Sequence, residues 1–404
     1  MRLRTPRILL EATAVVLVVA VIGCAPSRDG NGQGATCDAP GITPSEATLG
    51  FVYPDSGPPS SVFVSARAGF DARIGLANAE GGVHGRRISA QWRDDEGSAT
   101  VGALAVEDLV QHGQVFGLVT ASASLHDSME RLTKQGVPVT GLAIEPAWVG
   151  RANMFAVVYS ASPVVVGRYI QDAGGTKVAI VTPDTSPVTE SAVTSYTQGL
   201  NAAGINTVAR FTFSAAVGDP AQVAQKIAEF GADALLGIEA PDEFGKVVQA
   251  TRAARMPLTV SVALSGYDRS LLGTLGPSLA GVSIPVFFRP FEAGGPAIDR
   301  YRDAMASYAP ESTETDQQFA MFTYINTDLF LRGLELAGPC PTREGFIRAL
   351  RGVSDYDAGG LIAPVDLRNY AGEPLSCYAF VRVSSAGTEF EPVRERVCAD
   401  GSTG

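Results

Sequence analysis

Residues 116–127, FGLVTASASLHD, end an apolar run in two serines, Ser122 and Ser124. A hydroxyl so placed can attack a carbonyl, cap a helix or hold a ligand. Acyl transfer needs more than the serine. A nucleophile elbow sets glycines on both sides at GxSxG spacing, and the three histidines, His84, His112 and His126, are scattered, with His126 two residues past Ser124 on the same backbone. Asp94 and Asp95 pair two carboxylates, but adjacent residues of a strand point to opposite faces and do not flank one bond. No GxxxxGK[ST] occurs, and the EGG and AGG clusters sit where helices end, where glycine takes the left-handed cap conformation. Without a CxxC pair the cysteines and histidines suggest no metal site. Capping and ligand holding remain. Ser124, three residues ahead of Asp127, fits a capping box, which leaves Ser122 as the stronger ligand candidate.

Both roles belong at strand-to-helix junctions, because in an open α/β sheet ligands sit outside the carboxyl ends of the strands, against helix N-termini. From Glu46 onward the sequence supplies such junctions. TLGFVY (48–53) reads as a strand, PDSGPPSS as a turn and 62–79 as a helix. RRISAQWRDDEG, VFGLVT and VPVTGL read as further strands, with helices over 100–111 and 125–135 between them. A second series begins near 162, with strands KVAIVTP, NTVARFTF, ADALLGIEA and LTVSVAL alternating with helices over 164–173, 189–203, 220–230 and 242–254. Two such series predict an α/β protein of two doubly wound, Rossmann-like lobes. The rhythm then breaks into strand GVSIPVFFRP, helices over 295–308 and 317–337, and a strand-rich end around CYAFVRV. Such material could return to the first lobe and then cross again. The junctions contribute Ser56 and Ser60, Ser122 and Ser124, Ala143 and Glu145, Thr185, Glu239 and Tyr267 as candidate ligand contacts.

The 404 residues, 46% hydrophobic and 18% charged, have globular composition with room for about two domains. Arg2, Arg4 and Arg7 precede a largely apolar run over 12–22 and then Gly23-Cys24, the grammar of an export signal; a spanning helix needs about 20 apolar residues. The small residue before cysteine resembles a bacterial lipobox. This predicts a signal over 1–23, a lipidated Cys24 on the outer face of the cell membrane, and a polar, Gly-rich tether over 24–45. Removing Arg2, Arg4, Arg7 and Glu11 leaves 28 basic against 41 acidic residues, net −13, which argues against nucleic-acid binding. Cys37, Cys340, Cys377 and Cys398 are an even set in an exported chain, so two disulfides are expected. Three pairings are open. Cys340 to Cys377 would clip the last helix to the next strand, leaving Cys37 to Cys398 to tie the ends.

Taken in order, LGFVYPDSGP, NAEGGVHGRRISAQWRDDEGSATVGALAVEDLV, VFGLVTASAS, GVPVTG, KVAIVTPD, ADALLGIEAPDEFGKVVQATRAA and LAGVSI resemble the solute-binding proteins of ABC importers, in the leucine/isoleucine/valine-binding branch of the type I periplasmic fold. The resemblance covers Thr48 to about Val397, and the division it implies is 46–160 plus 286–366 for lobe one and 161–285 plus 367–398 for lobe two. It implies two lobes joined by a three-strand hinge, a ligand closed between them, delivery to an ABC permease in the membrane, no cofactor and no catalysis; the same clamshell also serves ligand-sensing subunits of membrane receptors. Matched position by position, Ser122 falls on the serine that holds a ligand carboxylate and Ala143 on a backbone contact. Glu145 stands where the pattern has threonine. Val62, Pro187 and Glu239 fall near its tyrosines, and Ser265 near its ammonium-binding acid. Those departures point away from a branched-chain amino acid and toward a small polar ligand, cationic or polyhydroxylated.

Overall fold

The computed structural model describes residues 37–403 apart from 58, 144, 217, 313 and 314. The signal, Cys24 and most of the expected tether lie outside these residues. Two sheets organise the rest. The first is built from β1 (Glu46–Tyr53), helices α1 (Ser60–Phe63) and α2 (Ala66–Ala79), β2 (Arg87–Asp94), α3 (Ala99–Glu107), β3 (Leu118–Thr120), α4 (His126–Lys134), β4 (Val139–Gly141) and β5 (Met154–Phe155). Its strands are all parallel, in the order β2-β1-β3-β4-β5.

The second follows as α5 (Pro163–Asp172), β6 (Lys177–Thr182), α6 (Pro187–Ala202), β7 (Thr207–Thr212), α7 (Pro220–Phe230), β8 (Ala234–Gly237), α8 (Pro241–Ala253), β9 (Val260–Ala263), α9 (Arg269–Leu279) and β10 (Val282–Val286). The chain then returns to the first sheet with α10 (Pro296–Tyr308), α11 (Gln318–Leu336) and α12 (Arg343–Leu350), before β11 (Cys377–Val383) and β12 (Phe390–Cys398) complete the second. The seven strands run β12-β11-β10-β9-β8-β6-β7, antiparallel only where β11 meets β10 and β12. The chain thus passes between the sheets three times, after β5, after β10 and before β11.

The interior strands are continuous β-branched and apolar runs because helices cover both faces. Phe51 of β1 stacks on Phe70 of α2 at 4.3 Å, and α2 lies directly on α11. A side chain at Gly69 would place its Cβ 1.9 Å from the Ala320 carbonyl oxygen, so only glycine permits this approach. α11 is buried along most of its length, which explains why the chain returns to the first sheet after β10.

The structure corrects three expectations. The disulfides join Cys37 to Cys340 and Cys377 to Cys398, not Cys340 to Cys377 and Cys37 to Cys398. Cys377 and Cys398 face each other across the β11–β12 ladder, and Cys37 lies beside the loop after α11. Residues 37–45 are no tether: Ile42 is buried, the Gly41 carbonyl accepts the Thr48 N–H at 2.8 Å, and Arg86 donates to the Thr43 carbonyl at 2.6 Å. Finally, the single helix expected over 62–79 breaks into α1 and α2. Among the described residues no helix is long and apolar enough to cross a membrane.

Candidate ligand-binding cleft

Strand order reverses between β1 and β3 in the first sheet and between β6 and β8 in the second, and ligands of open α/β sheets sit at such switch points, outside the carboxyl ends of the strands. Ser56, Ser60, Ser122 and Ser124 flank the first switch point. Thr185 and Glu239 flank the second. Ala143 and Glu145 follow β4, and Tyr267 follows β9.

At the exit of β1, Asp94 at the end of β2 organises the loop. Its Oδ1 accepts the N–H groups of Asp55 (3.0 Å), Ser56 (3.3 Å) and Glu96 (2.8 Å), and its Oδ2 accepts the Ser56 hydroxyl at 2.6 Å. Partial burial opposes the Asp94 charge, but the Ser56 hydroxyl and the three N–H groups together hold its pKa below the ordinary value. The Ser60 hydroxyl donates to the Gly57 carbonyl at 2.9 Å. Both serine hydroxyls are therefore spent on shaping the loop, and Tyr53 donates to the Asp55 carboxylate.

At the exit of β3, Ser122 is fully buried, and its Oγ accepts the Ser124 N–H at 2.9 Å. Its hydroxyl also faces Asp95, whose pKa burial raises, against the lowering pull of Ser122 and the Gly97 N–H. Ser124 does not cap α4. Leu125 occupies the N-cap with no side-chain cap of its own, and Glu145 reaches across from the β4 exit so that its Oε2 accepts the Leu125 N–H at 3.0 Å. Burial raises the Glu145 pKa, and the N–H groups of Leu125 and His126 oppose that rise. The positive end of α4 is thus met by the protein's own carboxylate.

At the second switch point, Thr185 is exposed in a turn closed by Asp184, which accepts the Ser186 N–H (2.9 Å) and the Thr189 hydroxyl (2.6 Å). Glu239 differs from every other candidate. Both its carboxylate oxygens are shielded from solvent and have no hydrogen-bond partner among the described residues. Burial, reinforced by Glu243 and Asp242, pushes its pKa up to about 8. Tyr267 is buried against Phe288, Phe291 and Phe390, and its hydroxyl donates to Glu292 Oε2 at 2.6 Å; it supports the architecture instead of lining the opening.

Ala143 lines a cavity of about 240 Å³, with Leu142, Val158, Phe287, Phe319 and Phe322 among its walls. It lies beside two of the three crossings and is almost wholly apolar. Its phenylalanines come from the segment after β10 and the first turns of α11, outside the strand-to-helix junctions. Phe319 and Phe322, one helical turn apart, are the pattern that marks this wall. A hollow of about 830 Å³ near residues 38–43 and Arg343 lies by the amino ends of β1 and β3, the wrong edge of the sheet for a switch-point ligand.

A profile described as periplasmic binding protein matches residues 46–388. Among solved structures, the chain is similar to a fatty acid ABC transporter substrate-binding protein from Thermomonospora curvata (19% identity, TM-score 0.71, covering 90% of this chain and 96% of that one). It is also similar to the branched-chain amino acid transporter substrate-binding protein LivJ from Streptococcus pneumoniae in complex with isoleucine (18%, 0.67, 86% and 99%) and to a leucine binding protein from Thermotoga maritima (16%, 0.67, 88% and 99%). A search of curated proteins finds no match. Two mostly parallel sheets joined by three crossings, with that profile running across both, place this chain in the periplasmic binding protein family, in its type I fold.

Proposed function

We propose that this protein is an exported solute-binding lipoprotein that closes two lobes over a small ligand and delivers it to an ABC importer, without catalysing a reaction on it. The lobes comprise residues 46–160 plus 286–366 and 161–285 plus 367–398, and lipidated Cys24 holds the protein at the outer face of the membrane. A Cys24→Ala variant should leave the membrane fraction; retention there would sink the anchor.

The observation that carries the ligand reading is the apolar cavity beside Ala143. An apolar cavity of about 150 Å³ holds benzene, so 240 Å³ accommodates one aromatic ring or a branched aliphatic chain. The ligand therefore has an apolar body, a change from the small polar ligand, cationic or polyhydroxylated, that the departures from the family pattern suggest. Glu239 supplies the polar contact from lobe two, since a shielded carboxyl group without a protein partner is costly and gains one when a polar ligand group arrives. Ser122 acts through the backbone turn it holds. Its Oγ accepts the Ser124 N–H, a role in shaping the turn that also argues against a nucleophile.

A thermal-shift screen across amino acids, amides, polyamines, sugars, and branched or aromatic acids and amines tests this reading, because a ligand at 100 times its dissociation constant adds about 2.7 kcal/mol. Compounds carrying a single ring or branched chain should raise the melt. A response confined to sugars and polyamines would refute the apolar seat.

A further inference from the structure

A chain of charged contacts joins α9, on the second sheet, to the entry of α11, on the first. Arg269, the first residue of α9, lies 3.3 Å from the Glu292 carboxylate and 4.0 Å from that of Asp316. Asp316, two residues before α11, is forked by Arg302 of α10 at 2.9 and 2.6 Å. The main chains meet alongside, where Asp268 and Gln317 form an antiparallel bridge. The two carboxylates are largely buried, whereas the Arg269 side chain is 44% exposed. Each carboxylate keeps another partner without it: Asp316 has Arg302, and Glu292 has the Tyr267 hydroxyl. Arg269 is therefore not what satisfies these buried charges. What it adds is a link between elements packed on different sheets.

That link stands at the aromatic wall of the cavity. α11 begins directly after Asp316 and Gln317, and its first turns carry Phe319 and Phe322 to the space that Phe287 closes from the end of β10. We propose that Arg269 is a positioning residue for ligand capture: by holding Asp316 against α9 it keeps the Phe319–Phe322 wall in register with the second lobe, so that lobe closure and completion of the cavity are one movement. The consequence for binding rests on the cavity being the ligand seat; the clamp does not, and it is tested without ligand.

Spin labels at E130C on α4 and K226C on α7, both exposed, report the distance between the lobes in the ligand-free protein by pulsed dipolar spectroscopy. Arg269→Ala should enlarge the long-distance population several-fold, Arg269→Glu should enlarge it further, and Arg269→Lys should retain the wild-type distribution. In about 1 M NaCl, where the Debye length falls to about 3 Å, the wild type should move toward the Arg269→Ala distribution while that variant stays unchanged. Identical distributions for wild type and Arg269→Ala overturn the proposal. Should Arg269→Ala fail to fold, Arg269→Gln takes its place, and a distribution identical to wild type overturns the proposal equally. Because no ligand enters, a failed ligand screen leaves this result standing, and a failure here leaves the cavity reading standing.

Discussion

Glu145 and Leu125, on loops that leave neighbouring strands, are joined by a 3.0 Å hydrogen bond from the Leu125 N–H to Glu145 Oε2. The contact turns a carboxylate that looked like surplus negative charge into the cap of α4. Replacing Glu145 with alanine should cost about 0.5–2 kcal/mol, the usual loss for an N-terminal cap, and Glu145→Gln less, because its amide oxygen still accepts. Denaturant unfolding of the three proteins checks the order. If Glu145→Ala is as stable as wild type, Glu145 does not cap the helix.

Glu239 links stability to pH. Its folded pKa of about 8 exceeds the ordinary carboxyl value of 4.5, so the folded state holds a proton that the unfolded state has released. Stability from this group is present below about pH 4.5 and declines as pH rises toward 8. Glu239→Gln should therefore melt like wild type near pH 4.5 and several degrees above it at pH 8.5. Equal melts at both pH values would show that the carboxylate finds a partner in solution.

Filling the cavity separates ligand binding from folding. Ala143→Phe places a ring in the 240 Å³ space that Leu142, Phe319 and Phe322 line. The variant should lose the melt increase given by whichever compound stabilises the wild type, while its own ligand-free melt stays close to wild type. An undiminished ligand response would place the seat elsewhere.

The disulfides differ in how much chain they close, 303 residues for Cys37–Cys340 and 21 for Cys377–Cys398. Loop-closure entropy assigns about 3 kcal/mol to the short link and about 5–6 kcal/mol to the long one. Cys340→Ser should thus lower the melting temperature more than Cys377→Ser, and non-reducing peptide mapping should recover these two pairs. Recovery of Cys37 with Cys398 would contradict the structure.

Alternation of apolar runs with helical spacing was enough to read the architecture. The strands at TLGFVY, KVAIVTP and ADALLG and the long helix ending near Ala337 follow from local pattern, since a strand covered on both faces must be apolar throughout. The short helix α12 and strand β12 were missed. Phe346 and Leu350 are the only buried side chains of α12, and β12 buries only Phe390, Val397 and Cys398, with charged residues between them, so neither carries a strong period.

The candidate site was legible only as a set of junctions. From the sequence by itself come the βα series, the switch-point loops containing Ser56, Ser122, Thr185 and Glu239, and the even set of exported cysteines. Tertiary structure alone decided how those residues are used. Whether a serine hydroxyl faces a ligand or the next N–H depends on one backbone turn, and whether Glu145 adds charge to a cleft or caps α4 depends on where the neighbouring strand ends. Likewise, Cys377 meets Cys398 through strand register, and Phe319 and Phe322 reach Ala143 because the chain crosses back to the first sheet after β10. Such contacts join residues far apart in sequence, and periodicity within a segment holds no record of them.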